Sequence, residues 1–268
     1  MRRIAVAASA PFGADVLERL AARHEIAQLL TRPDKPRGRG RTIGATPAKD
    51  LAERLGIPVA QPARLDESVE LTADTVVVCA YGLLIPPALL ERGRWLNVHP
   101  SLLPRWRGAA PVERALLAGD AATGVTIHET VEALDAGPIA AQEAFPIGPE
   151  DDAGAVYARA AEVAARLLDE VLAQVEPVFT PQPEEGATYA EKIAAADREL
   201  DPGVPPQELV NRVRALSPHI GARLHLSEGG DLLVWKARVG EDGSFQPLEV
   251  QPAGGKRMPY DAYLRGKR

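Results

Sequence analysis

The chain has 268 residues, of which 46% are hydrophobic and 25% charged, with a net charge of −6 and a single cysteine. This predicts one α/β domain of conventional size plus a smaller second unit, built round a sizeable core. It excludes an internal disulfide framework, because Cys79 is alone, and a helical membrane protein, because no apolar run is long enough to span a bilayer. A cytoplasmic protein without a membrane partner is expected.

The chain opens with Arg3 to Ala8, an apolar run with strand character. Gly13 to Ala22 follows, with Val16, Leu17 and Leu20 at helical spacing, and then a second apolar run at Ile26 to Leu30. Strand, helix, strand with short connections predicts a Rossmann-like, doubly wound, mostly parallel sheet that takes its ligands at the carboxyl ends of the strands. The first turn, Ala8 to Gly13, lacks GxGxxG spacing, which disfavours a nicotinamide or flavin cofactor. Thr31 to Thr46 (TRPDKPRGRGRTIGAT) has no apolar periodicity and reads as a long loop, either functional or a solvated insertion. It carries Arg32, Lys35, Arg37, Arg39 and Arg41, a local basic group on an acidic body, which is what a specific polyanion requires.

Pro47 to Leu55 reads as a helix and Pro58 to Ala60 as a short strand. Asp74 to Ala80 reads as a strand buried on both faces, with Cys79 a small core residue. Tyr81 to Pro86 leaves it on the ligand side. The next strand is Trp95 to Val98, and Asn97 and His99, two apart, face the same way at its end. Pro100, Pro104 and Gly108 impose an irregular loop before a helix that starts near Pro111. A strand at Gly124 to Glu129 then leads to a turn, Val131 to Pro138, with Asp135 beside Gly137.

Asp151 to Val175 has the spacing of a long amphipathic helix capped by Asp151 or Asp152. Pro177 to Gly186 (PVFTPQPEEG) has linker composition. A helix at Pro206 to Leu216 and strands at Ala222 to Leu226, Leu232 to Ala237 and Gln246 to Val250 complete the chain, with a second basic group that includes Lys256 and Arg257. Residues 1–176, 177–203 and 204–268 are therefore read as catalytic domain, linker and small C-terminal domain.

Asn97, His99 and Asp135 bring an amide, an imidazole and a carboxylate to the ligand side. As a metal site the set is poor, because no second histidine or cysteine stands at ligand spacing to His99. As a hydrolase triad it lacks a nucleophile in a GxSxG elbow. It suits acyl transfer, with donors for an oxyanion and a carboxylate to fix the imidazole or accept a proton through water. The remaining reading is that these are ordinary strand-end and turn polar groups.

The segments NVHPSLLPRWRGAAP (Asn97 to Pro111) and GVTIHETVEALDAGPI (Gly124 to Ile139) resemble the 10-formyltetrahydrofolate-dependent formyltransferases, whose pattern is N-x-H-x-S-L-L-P followed by D-x-G. RPDKPRGRGR, VVVCAYGLLIP, TYAEKI and the late segments Val234 to Ala237 and Val250 to Met258 are similar to the branch that acts on methionyl-tRNA. The resemblance covers nearly the whole chain. It implies formyl transfer from 10-formyltetrahydrofolate to the α-amino group of methionyl initiator tRNA, without a metal, by a monomeric enzyme. It places catalysis on Asn97, His99 and Asp135, with the oxyanion held by Asn97 and His99. Folate contacts fall to Ser101, Leu102, Leu103 and Pro104, with Leu83, Ile85 and Leu134 lining an apolar slot. Contacts to tRNA fall to Arg32, Lys35, Arg37, Arg39, Arg41, Lys256 and Arg257.

The resemblance also implies a C-terminal β-barrel of oligonucleotide-binding type. Only GEDGSF stands where a further strand pair is due, so a shortened barrel is expected. His128 is closer to the enzymes of this family that formylate glycinamide ribonucleotide, and is read as a solvent-facing strand residue or a support behind the site. An enzyme acting on that acceptor or on an amino-sugar nucleotide, and a non-catalytic folate- or RNA-binding protein, are the alternatives.

Overall fold

The computed structural model describes residues 1–37, 42–226 and 229–267. Its first stretch runs β1 (Arg3–Ala8), α1 (Pro11–Ala21), β2 (Glu25–Leu30), β3 (Lys35–Arg37), β4 (Thr42–Gly44), α2 (Pro47–Leu55), β5 (Val59–Ala60), β6 (Thr75–Cys79) and α3 (Pro87–Leu90). There follow β7 (Arg94–His99), β8 (Arg107–Gly108), α4 (Pro111–Ala118), β9 (Ala122–Glu129), β10 (Ile139–Pro146) and α5 (Ala153–Ala173). The remainder is β11 (Tyr189–Ala190), a 3-10 turn at Ala196–Arg198, α6 (Pro206–Leu216), β12 (Ala222–His225), β13 (Asp231–Val239), β14 (Phe245–Pro252), β15 (Met258–Pro259) and α7 (Tyr260–Arg265).

Proline opens α1, α2, α4 and α6, where a missing N–H costs nothing and the fixed φ already suits a helix. Thr46 caps α2 by accepting from the Lys49 N–H at 3.1 Å, and left-handed Gly56 ends it. Because α1 begins at Pro11, Gly13 is a helix residue and not part of the first turn. A side chain there would strike the Cys79 carbonyl and the Ala8 methyl, so glycine lets α1 lie close on the sheet.

Seven strands make one sheet in the order β10-β9-β7-β6-β1-β2-β5. Strands β5, β2, β1, β6 and β7 are mutually parallel, and β9 joins antiparallel to β7. The chain reverses its winding direction at β1 and β6, the switch point beside which such sheets hold ligands. On one face of the sheet Leu30, Val78, Tyr81, Ile85, Leu89 and Trp95 share one core cluster. Cys79, the last residue of β6, is buried, and burial pushes its thiol pKa up, consistent with a packing role. Strand β10 is missing from the sequence reading: IAAQEAFP mixes polar and apolar residues without a clean alternation.

The basic stretch after β2 is not without regular structure. Lys35–Arg37 and Thr42–Gly44 pair as an antiparallel ribbon, with Pro36 opposite Ile43. Arg39 and Arg41 lie outside the described residues, and for Arg37 only the backbone is described.

The chain separates into two compact units. The first comprises Met1–Arg107, Gly124–Ala144 and Ala158–Thr188, and the second Gly108–Thr123, Phe145–Tyr157 and Tyr189–Arg268. In the second, β12, β13, β14 and β15 form a four-stranded antiparallel sheet. Leu209, Val213 and Leu216 of α6 pack with Ala222, Leu232, Val234 and Val250. GEDGSF is a tight hairpin between β13 and β14, closed by Gly240 N to Ser244 O at 2.8 Å. The sequence reading finds three of these strands and α6; β15 is too short to show periodicity.

Candidate active site

Strand β7 ends where the parallel part of the sheet meets antiparallel β9, and register sets Asn97 opposite His128 and His99 opposite Thr126. The Asn97 amide Nδ2 donates to Asp135 Oδ1 at 3.0 Å and lies 3.1 Å from Nε2 of His128. Nδ1 of His128 lies 2.8 Å from the Glu129 carbonyl, which only accepts, so Nδ1 carries the proton and Nε2 accepts from Asn97. His99 is fixed in the same manner. Its Nε2 donates to the Trp106 carbonyl at 2.7 Å, and its Nδ1 faces Asp135 Oδ2 at 3.7 Å.

The three residues singled out from the sequence therefore do converge, and the structure adds His128 to them. His128 is 1% exposed and so is not solvent-facing. Burial is the largest influence on its imidazole and lowers its pKa to about 4, against the opposing pull of Asp135 and the Glu129 carbonyl. Both amide hydrogens of Asn97 and the Nε2 proton of His99 are occupied by protein acceptors. Donation to a substrate by either residue requires one of these bonds to open.

Asp135 sits at φ +48, a left-handed conformation that side-chain-bearing residues adopt at some cost. The turn is held from two sides. A side chain at Gly137 would collide with the Glu129 carbonyl, so glycine permits the close return of the chain. On the other side, Gln182 donates through Nε2 to the carbonyls of Asp135 (2.9 Å) and Gly137 (2.7 Å). Its Oε1 accepts from Arg107 Nε at 3.1 Å and Nη2 at 3.0 Å. The stretch of linker composition is thus bound down within the first unit; Thr180 also forms a two-way backbone bridge with Ile139.

Residues 100–105 are shaped by buried polar groups. Thr126 Oγ1 donates to the Ser101 carbonyl (2.7 Å) and accepts from Leu103 N (3.2 Å), while Gln142 donates to the Leu103 carbonyl (2.9 Å). Three of the side chains expected at the folate are turned inward. Ser101 is 0% exposed and its hydroxyl donates to the Arg105 carbonyl at 2.7 Å, which closes the loop on itself. Leu103 is buried beside it, and Ile85 belongs to the core cluster with Tyr81 and Leu89. Leu83, Leu102 and Pro104 are half-buried, and Leu134 is 66% exposed.

Arg32 follows β2 on the ligand side. Its guanidinium passes beside Gly82 and is near enough to the Tyr81 phenol for its charge to act on it. Among the described residues nothing accepts from the buried Nε of Arg32 or pairs with the buried Tyr81 hydroxyl, whose pKa burial pushes up to about 12. The neighbouring Asp34 is fully engaged by Lys49 and Gln61, both at 2.7 Å, while Lys35 is exposed. In the second unit Lys256 is exposed, and Arg257 stacks on Trp235 at 3.5 Å while donating to the Pro218 carbonyl.

The sequence profile described as formyl transferase matches residues 2–172. A methionyl-tRNA formyltransferase of Heliobacterium modesticaldum is 39% identical, over 96% of this chain and 94% of its own. The methionyl-tRNA formyltransferase of Alcanivorax borkumensis is 42% identical, over 98% and 91%. Among solved structures, the methionyl-tRNA formyltransferase of Clostridium thermocellum superposes with a TM-score of 0.65 at 14% identity, over 97% of this chain and all of its own, a likeness of fold.

Proposed function

The chain belongs to the formyl transferase family, and on that premise we propose that it transfers the formyl group of 10-formyltetrahydrofolate to the α-amino group of methionyl initiator tRNA, the step that prepares that tRNA for translation initiation. The observation that carries the reading is an intact Asn97–His99–Asp135 set inside a chain about 40% identical, end to end, to enzymes of that name.

In this reaction the amine nitrogen bonds to the formyl carbon, the bond from that carbon to the folate nitrogen breaks, and one proton passes from amine to folate nitrogen. The donor set fits a formyl group, since a half-buried amide, a buried imidazole and a carboxylate stand together with a proton acceptor among them. Asn97 is tethered to Asp135 by one N–H and offers the oxyanion the other, which it exchanges with neutral His128. Asp135 receives the amine proton, directly or through water, and its second oxygen, once it carries that proton, can donate to the unprotonated Nδ1 of His99. Leu102, Pro104, Leu83 and Leu134 provide the surface for the folate. Arg32 and Lys35, with Lys256 and Arg257 on the C-terminal sheet, take tRNA phosphates. We read that sheet as a shortened barrel of oligonucleotide-binding type, and the enzyme as a cytoplasmic monomer.

Purified protein offered 10-formyltetrahydrofolate with charged initiator tRNA, glycinamide ribonucleotide or an amino-sugar nucleotide tests the acceptor. Formylation of the charged tRNA alone supports the reading; preference for either small acceptor overturns it.

A further inference from the structure

Gln182 lies 47 positions from Asp135 and 75 from Arg107, in a stretch with no helical or strand periodicity, yet one amide links both. Its two N–H groups serve the carbonyls on either side of Ala136, those of Asp135 and Gly137. Its oxygen takes both Nε and Nη2 of Arg107, a guanidinium only 3% exposed whose Nη1 stands 3.5 Å from Glu184. A buried cation is costly unless paired and hydrogen-bonded, so Arg107 holds the Gln182 amide in a single orientation. A few residues on, Thr188 Oγ1 accepts from the N–H of Trp106, the residue whose carbonyl takes the His99 proton. One segment therefore braces the backbone behind both Asp135 and His99.

We propose that Gln182, oriented by Arg107, is a positioning residue for formyl transfer: it fixes the left-handed Asp135 turn so that the carboxylate meets Asn97 and His99. The role rests on the reading of this site as a formyl-transfer site. Gln182 touches no reacting atom. Without it the Asp135 carbonyl loses its donor and the φ +48 turn loses the contact that pays for its strain. The carboxylate then drifts from His99 Nδ1, and misplacement of that size in a reacting set is costly in rate while leaving ligand surfaces untouched.

The test uses the full chain with Gln182→Ala and Gln182→Glu, the second keeping the volume and the acceptor for Arg107 but removing both donors. Expected is a kcat lowered about a hundredfold with KM for folate and for charged tRNA each within about threefold of the parent. In the same samples, imidazole nitrogen resonances, assigned among the five histidines by His99→Gln, should show the His99 signals displaced. An unchanged kcat or an unchanged His99 spectrum overturns the proposal. Loss of cooperative thermal unfolding in both variants also overturns it, by assigning Gln182 to stability. Should the parent protein fail to formylate charged tRNA, the function falls, and the His99 spectrum still decides whether Gln182 positions the site.

Discussion

Across the β7–β9 pair, Nε2 of His128 accepts a hydrogen bond from the Asn97 amide at 3.1 Å, which requires the imidazole to be neutral. Protonation would replace an acceptor by a donor facing another donor, and burial already resists it. Between its ordinary value of 6.5 and its folded value of about 4, the unfolded chain binds a proton that the folded chain does not. The contribution of His128 to stability is thus complete above pH 6.5 and is lost as pH falls toward 4, by about 3 kcal/mol at about 1.4 kcal/mol per pKa unit. His128→Gln should remove that part of the acid limb. Urea midpoints at pH 7 and pH 4.5 check it: the parent should lose more stability between the two than the variant, and equal losses would refute the assignment.

Asn97→Ala deletes the donor that the oxyanion is to receive and removes the Asn97 hydrogen bonds to Asp135 Oδ1 and His128. A fall in kcat of about a hundredfold or more is expected, the ordinary cost of one oxyanion donor. Steady-state kinetics with both substrates saturating measures it, and a variant within threefold of the parent would remove Asn97 from the reaction.

Among the described residues, Arg32 Nε and the Tyr81 hydroxyl are buried on the ligand side without a hydrogen-bond partner. Tyr81→Phe removes a polar group that gains nothing from folding, so the melting temperature should hold or rise. Arg32→Ala should raise KM for charged tRNA and reduce the slope of log KM against log salt concentration by about one, as loss of one phosphate contact does. Folate affinity, read by fluorescence titration, should not change.

Gly137→Ala places a methyl against the Glu129 carbonyl. Backbone cannot yield as a flexible side chain does, so a stability loss of about 1–3 kcal/mol with a lower kcat is expected, measured by urea unfolding and formylation in the same preparation. Unchanged values in both would show that the turn relaxes without cost.

The sequence reveals the elements that periodicity and punctuation mark. Leu51 and Ala52 on α2, the run TVVVC of β6 and the Pro206 start of α6 are read at their observed places because propensity, patterning and burial agree there. Asn97 and His99 are legible because spacing of two on a strand forces a shared face. The supports are not. Gln182, Arg107, Thr126 and Gln142 reach the site by tertiary closure, and a buried hydrogen bond between residues 75 apart leaves no local pattern. Ser101 is the complementary case. It stands in the motif that carries the resemblance, and its hydroxyl closes the loop onto Arg105, a contact that residue type alone does not announce.

On the proposed mechanism the carboxylate of Asp135 works with Asn97 and His99 to move a formyl group onto charged initiator tRNA. Single-turnover formylation by the parent and by Asp135→Asn, which keeps the side chain's size but not its charge, tests it most directly. The account predicts rapid formylation by the parent and a rate lower by at least about a hundredfold in the variant, with the unfolding transition preserved. Equal rates in the two proteins would contradict it.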